Sequence, residues 1–199
     1  MTEKTDGSVY DVYFLIGGFS ESGDYPVFEK GEIEALKNSE KKEEKVNARK
    51  LLAYAIKKSF GKKIDELDFK RSENGKPLCD KLWFSVTHTK GAAGVICSDK
   101  PCGIDAEYLP SFLNKCADKL FIKRFLNRIG ENDNLSEKEA LRLWTVKESV
   151  FKAEGEGSFS PKNIPANNKK TKSFFVGDYV ISVTCENTDE INFKVYYSL

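Results

Sequence analysis

The sequence holds a single histidine, His88, and its five cysteines, Cys79, Cys97, Cys102, Cys116 and Cys185, form no Cys-x-x-Cys pair. That scarcity argues against a zinc site of the usual Cys/His spacing and leaves the thiols free, as expected in a reducing compartment. Long apolar runs are missing too: none approaches the roughly 20 residues that cross a bilayer, and the opening MTEKTDGSVYDVYF lacks the basic-then-apolar pattern of a secretion signal. A cytoplasmic protein without membrane contact is the expectation. Charge of one sign is also lacking. The 32 Lys and Arg residues against 31 Asp and Glu give a net charge of +1, so the global field offers no basis for wrapping nucleic acid. The Lys-rich stretch from Lys37 to Lys63 is interleaved with acids throughout, as a solvated helix face is.

What is present suffices for a folded core: 199 residues, 40% of them apolar and 32% charged. The segment VYDVYFLIG predicts a strand closed by Gly17 and Gly18. EIEALKNSEKKEEKVNARKLLAYAIKKSFG predicts a helix, with Val46, Leu51, Leu52, Ala55 and Ile56 near helical spacing and Gly61 at its end. KLWFSVTHT, AAGVICS and CGIDAEYL predict strands joined by turns at Lys90-Gly91 and Asp99-Lys100-Pro101. Helices are expected at about 111–129 and 136–154, the second opened by Ser136 with Glu139 as a capping box. A Gly-, Pro- and Asn-rich loop follows, and then SFFVG, DYVISVTCE and EINFKVYYSL as a closing antiparallel meander. The fold class is α+β, in two similar halves, 1–109 and 110–199, arranged about a pseudo-twofold with the active site at their interface. Two halves in one chain point to a monomer.

Two short stretches carry chemistry. In CGIDAEYL, Asp105 and Glu107 are two apart in a strand and so share a face, where like charges repel unless a cation stands between them. A third carboxylate from another element would complete an oxygen cluster for a hard divalent cation such as Mg²⁺, and Glu148 is the natural third. Glu148 lies in LWTVKESVFKAEGEG. At about 100° per residue, Leu143, Trp144, Val146, Val150 and Phe151 share an apolar arc there, with Glu148 at its border and Lys152 one turn on. That pair either looks into a cleft or forms an i,i+4 ion pair on a solvated face. Lys147 falls inside the apolar arc, so its ammonium either snorkels or meets an anion.

GIDAE, followed roughly forty residues later by WTVKESVFKAEG, resembles the paired signature of the surfactin-type 4′-phosphopantetheinyl transferases, G-I/V-D-x-E and W-S/T-x-K-E-A/S-x-x-K-x-x-G. Every defined position is filled: Gly103, Ile104, Asp105 and Glu107, then Trp144, Thr145, Lys147, Glu148, Ser149, Lys152 and Gly155. NGKPLC is similar to the family's G-K-P and WFSVTHT to its F-N-x-S-H-S/T, with Thr87 in the place of the serine. The resemblance covers most of residues 45–160.

The resemblance implies transfer of the phosphopantetheine arm of coenzyme A to a serine of an acyl or peptidyl carrier protein, with release of 3′,5′-ADP. It implies Mg²⁺ on Asp105, Glu107 and Glu148. Glu148, Lys152 and His88 are the catalytic candidates, and Arg49, Lys76, Thr87, His88, Asp105, Lys147 and Lys152 the coenzyme A contacts. Without the surrounding block, His88 reads more readily as a core residue bonded to backbone. Two features depart from the family. Lys123 or Arg124 stands where members place a glutamate, so the base for the serine is unassigned among Glu131, a water on the metal, or no side chain. The lead-in to Arg49 is acidic, and which of Lys41, Lys42 or Lys45 meets the nucleotide is open. The missing glutamate motivates an alternative, a coenzyme A-binding protein with weak or no transfer. Carrier docking is expected near Phe159, Ile164 and Phe174–Phe175, ringed by Lys162, Lys169, Lys170 and Lys172.

Overall fold

The computed structural model describes residues 10–20, 24–28, 31, 33–35, 39–72, 75–132, 134–155, 157–165, 167 and 170–199. Lys37 and Lys169 lie outside the described residues. A four-stranded sheet has the order β4-β5-β1-β9, from β1 (Tyr10–Ile16), β4 (Trp83–Thr89), β5 (Ala92–Ser98) and β9 (Ile191–Tyr197). A three-stranded sheet has the order β6-β8-β7, from β6 (Cys102–Tyr108), β7 (Thr171–Val176) and β8 (Tyr179–Cys185). A small hairpin of β2 (Phe69–Arg71) and β3 (Pro77–Cys79) stands apart.

The helices close the two outer faces. Helix α1 (Ser39–Phe60) buries Ala48, Leu51, Leu52, Ala55 and Ile56, the i, i+3, i+4 stripe the sequence announces, against Tyr13, Leu15, Phe84 and Val95 of the first sheet. It is described from Ser39, and residues 33–35 upstream form a turn. Gly61 ends it with φ 64° and an N–H on the Lys57 carbonyl at 3.0 Å. On the far side, α2 (Leu109–Cys116), α3 (Lys119–Ile129) and α4 (Glu137–Glu154) pack around Phe112, Leu126, Ile129 and Leu143. Between the sheets lie Val12, Phe14 and Ile96 from one and Ile104, Ala106, Ile181 and Val183 from the other. The layers therefore run helix, sheet, sheet, helices.

Three expectations are corrected. The helix expected at 111–129 is two helices, because the Asp118 carboxylate accepts the Leu120 N–H at 2.8 Å and caps a fresh start. Ser136 does cap α4, accepting the Glu139 N–H at 3.3 Å. Glu139 does not complete a capping box, because its carboxylate is held two-pronged by Arg142 at 2.6 and 2.8 Å. The closing meander also breaks. β7 and β8 pair antiparallel, but β9 crosses to the first sheet and runs parallel to β1. One recurrence stands out: β1-β5-β4 and β6-β8-β7 share the same antiparallel order, each with helix between its first and second strand in sequence.

Candidate active site

β6 is an edge strand of its sheet, and α4 lies across the face that Gly103, Asp105 and Glu107 share. A Cβ at position 103 would meet the Ser149 carbonyl at 2.0 Å and the Ala153 nitrogen at 2.6 Å, both backbone atoms, so only glycine permits the helix to approach. Two serine/threonine chains then fix the helix on the sheet. Thr145 donates to the Arg142 carbonyl at 2.9 Å, so its hydroxyl accepts from Ser182 at 2.8 Å, which accepts in turn from Ser173 at 2.9 Å. Ser149 donates to the Val146 carbonyl at 2.9 Å and accepts from Thr184 at 2.8 Å, which accepts from Thr171 at 2.8 Å. The hydroxyls at the two small positions of the second signature thus set the roll of α4, and that roll directs Glu148 and Lys152.

The other edge of β6 meets β4 through side chains. Ser85, Thr87 and Thr89 accept the N–H groups of Ile104, Ala106 and Tyr108, each at 3.2 Å. Thr87 also donates to Asp105 Oδ1 at 3.3 Å. Lys152 Nζ reaches the same oxygen at 2.6 Å from α4. Asp105 is buried, and its Oδ2 has no hydrogen-bond partner among the described residues. Burial pushes the Glu107 carboxyl up to about 7, helped by Asp105 and Glu148 and opposed by Lys152. Burial and then Asp105 raise Glu148 as well. Asp105, Glu107 and Glu148 thus act on one another electrostatically, with Lys152 among them.

This donor set suits a hard cation: oxygen ligands only, one buried oxygen unclaimed, and carboxyls that resist ionising together. The three are not drawn into a finished cage, since among the described residues no three His, Cys, Asp or Glu side chains stand in metal-binding array. Lys152 holds Asp105 in that arrangement.

The other anticipated residues fall into two groups. Lys76 and His88 border this region. Lys76 Nζ donates to the Lys152 carbonyl at 2.6 Å, at the C-terminal end of α4 where carbonyls are unclaimed and the helix dipole favours a cation. Its ammonium lies 2.6 Å from where a Cβ on Gly155 would stand, and Gly155, with φ 73°, caps the helix. Lys76, Lys152, Ser85 and Phe151 line a cavity of about 260 Å³. His88 Nδ1 lies 3.4 Å from Glu44 Oε2 on α1, so its partner is a side chain rather than the backbone. Arg49 is buried, its guanidinium 3.3 Å above the Phe28 ring.

Lys147 belongs to the second group. Only 2% exposed, it neither snorkels nor joins the carboxylates, donating instead to the Ile164 carbonyl at 2.6 Å with Glu131 at 3.9 Å. Glu131 is thereby engaged with a lysine. Phe159 packs on Trp144 and Phe151, with ring centroids 5.4 and 5.2 Å apart, and Phe174 stacks on Phe193 at 4.2 Å. Phe175, 48% exposed under the Lys138 ammonium, is the solvent-facing aromatic of that group. Sequence reasoning missed Glu44 and the Ser85–Thr87–Thr89 ladder. The alternation of hydroxyls in SVTHT was the available signal for the ladder; Glu44 had none.

Asp105 and Glu107 on the strand, with Glu148 and Lys152 on the glycine-admitted helix, thus make one acidic cleft with a lysine among its carboxylates. Residues 101–194, a little under half of the chain, match the family model of the 4′-phosphopantetheinyl transferase superfamily. Over 99 residues the chain is 32% identical to the 4′-phosphopantetheinyl transferase gsp of Aneurinibacillus migulanus, a match covering 48% of this chain and 41% of that relative's length.

Proposed function

We propose that the chain transfers the 4′-phosphopantetheine arm of coenzyme A to a serine hydroxyl of an acyl or peptidyl carrier protein, releasing 3′,5′-ADP. The observation that carries this reading is the convergence on Asp105. Its Oδ1 is held by Lys152 and Thr87, its Oδ2 is buried without a partner among the described residues, and burial together with Asp105 raises the Glu107 and Glu148 carboxyls. Asp105, Glu107 and Glu148 would hold Mg²⁺, which when bound neutralises the pyrophosphate and strengthens its leaving group.

The chain's own residues do the remainder. The serine Oγ attacks the phosphorus bearing the pantetheine arm, a P–O bond forms, and the bond to 3′,5′-ADP breaks. Lys152 Nζ turns its charge from Asp105 to the phosphate oxygens as the ligand arrives. Glu148, beside the reacting phosphate in this reading, is the carboxylate proposed to take the serine proton, since Glu131 lies 3.9 Å from the Lys147 ammonium. Lys76, His88 and Arg49 contact the remaining phosphates, and the Arg49 guanidinium suits a 3′-phosphate. Thr87 orients Asp105. Lys147 holds the 158–165 loop rather than the ligand.

The two-halves organisation, with the site between the halves, is part of the same reading and is supported by the repeated strand order. No described helix is long and apolar enough to cross a membrane. A soluble, monomeric enzyme of the cytoplasm is proposed, with its carrier docking at Phe175 beside Lys138. Incubation with coenzyme A, Mg²⁺ and a panel of carrier proteins, read by mass spectrometry, tests the reading. A mass gain of one phosphopantetheine on a carrier serine supports it. Coenzyme A binding without any gain favours a nucleotide-binding protein of the same fold.

A further inference from the structure

His88 and Thr87 are neighbours on β4 and point to opposite faces, Thr87 to β6 and His88 to α1. The charged groups around the imidazole come from two elements. Glu44 and Lys45 belong to α1 and Lys152 to α4, while β4 itself contributes no charge beside it. Glu44 is the partner in contact, with Oε2 3.4 Å from Nδ1 and a side chain only 17% exposed. It also lines a cavity of about 330 Å³ that Glu40, Glu43 and Asn47 share.

A neutral imidazole carries one N–H, and a carboxylate can only accept, so the proton sits on Nδ1 and Nε2 is bare. A bare Nε2 repels a phosphate oxygen, because both are acceptors. To bond an anion His88 must take a second proton, at Nε2, and become a cation. Burial and the nearby Lys152 and Lys45 oppose that charge, and Glu44 favours it.

We propose that Glu44 is a positioning residue for His88: it fixes the Nδ1–H form in the ligand-free protein and supplies the counter-charge when a phosphate recruits a proton from solvent to Nε2. Only the identity of the anion rests on the transferase reading. Glu44 lies outside both signature stretches, within the acidic lead-in to Arg49, and that departure thereby acquires a function. The proton comes from water and goes to Nε2; no covalent bond other than N–H changes.

Because His88 is the single histidine, long-range ¹H–¹⁵N correlation of uniformly labelled protein reads its tautomer without assignment. The wild-type protein, at a pH where the ring is neutral, should show the proton on Nδ1. Glu44→Gln should keep that tautomer, since the amide oxygen still accepts, whereas Glu44→Ala should move the proton to Nε2, the form free imidazoles prefer. Calorimetry with 3′,5′-ADP in two buffers of different ionisation enthalpy should then show proton uptake by the wild-type protein. Glu44→Gln should take up less and bind roughly tenfold more weakly, as loss of a charge-assisted contact implies. An Nε2–H tautomer in the wild-type protein, or no change in Glu44→Ala, overturns the proposal. If the tautomer series holds but 3′,5′-ADP binds none of the proteins, the positioning role stands and the nucleotide assignment of the site fails.

Discussion

The Thr87 hydroxyl accepts the Ala106 N–H at 3.2 Å and donates to Asp105 Oδ1 at 3.3 Å, so one oxygen closes the edge of β6 and aims its central carboxylate. Ser85 and Thr89 repeat the first of these bonds on either side. The two sheets are therefore joined at this edge by side-chain acceptors rather than by a continuous backbone ladder. Thr87→Val keeps the shape and removes the hydroxyl, leaving a buried N–H without its partner, at a cost of about 1–3 kcal/mol. Thr87→Ser should lose far less. Urea denaturation of the two variants compares them, and equal midpoints would show that the hydroxyl does not secure the edge.

Gly103 answers to a different constraint. Its missing Cβ is the space occupied by the Ser149 carbonyl and the Ala153 nitrogen, which no rotamer change can vacate. Overpacking in cores typically costs about 1–3 kcal/mol, and a clash against helix backbone belongs at or above the top of that range. Gly103→Ala should lower the thermal midpoint by several degrees and displace Glu148 and Lys152 with α4. A variant that melts with the wild type and retains full transfer would refute this account of the glycine.

Asp105→Ala should abolish transfer, since the change removes a proposed ligand; the fold should persist, because the lost Lys152 bridge is offset by relief of repulsion with Glu107 and Glu148 and by rehydration of the partly exposed Lys152. Added Mg²⁺ should raise the thermal midpoint of the wild-type protein, by about 2.7 kcal/mol of stability when the cation stands at a hundred times its dissociation constant. Asp105→Ala should show no such gain. Unchanged transfer by the variant under saturating Mg²⁺ would remove Asp105 from the metal site.

Lys147 makes a prediction in pH. Burial lowers its ammonium from the usual lysine value, against the opposing pull of Glu131. A lysine lowered in the folded state binds its proton more weakly there than when unfolded, so stability rises as pH climbs from the folded value toward the unfolded one. In Lys147→Met that alkaline contribution should disappear. The variant should also free the 158–165 loop to proteolysis, because the Ile164 carbonyl loses its donor. Affinity for coenzyme A should stay within about twofold; a larger loss would return Lys147 to the ligand site.

Docking of the carrier is tested at the exposed aromatic. Phe175→Ser should raise the KM for the carrier and leave that for coenzyme A unchanged, since uniform binding of one substrate is lost. Phe159→Ser, by contrast, should lower stability, because that ring is wedged between Trp144 and Phe151. If Phe175→Ser keeps the wild-type KM for every carrier tried, the docking face lies elsewhere.

Local pattern by itself determined a good deal of this protein. Period-two alternation placed Asp105 and Glu107 on one side of a strand, and helical spacing put Glu148 and Lys152 one turn apart on α4. Those relationships depend only on the geometry of a few consecutive residues. Helix α1 and its Gly61 stop were legible for the same reason. The break between α2 and α3 carried a local signal in Asp118, but it lay inside an apolar periodicity that ran on through it. What the tertiary structure decided was long-range. It sent β9 to lie parallel to β1 rather than onward from β8, since pairing across some 180 residues leaves no trace in either strand's composition. It gave Lys147 to the Ile164 carbonyl and Glu131, where helical angle alone allowed a ligand or solvent. It set Glu44 beside His88 from another element, 44 positions away in sequence. Strand and helix periods are written in neighbouring residues, but the partner of a buried charge is chosen by whichever distant group the packed layers bring within hydrogen-bond reach.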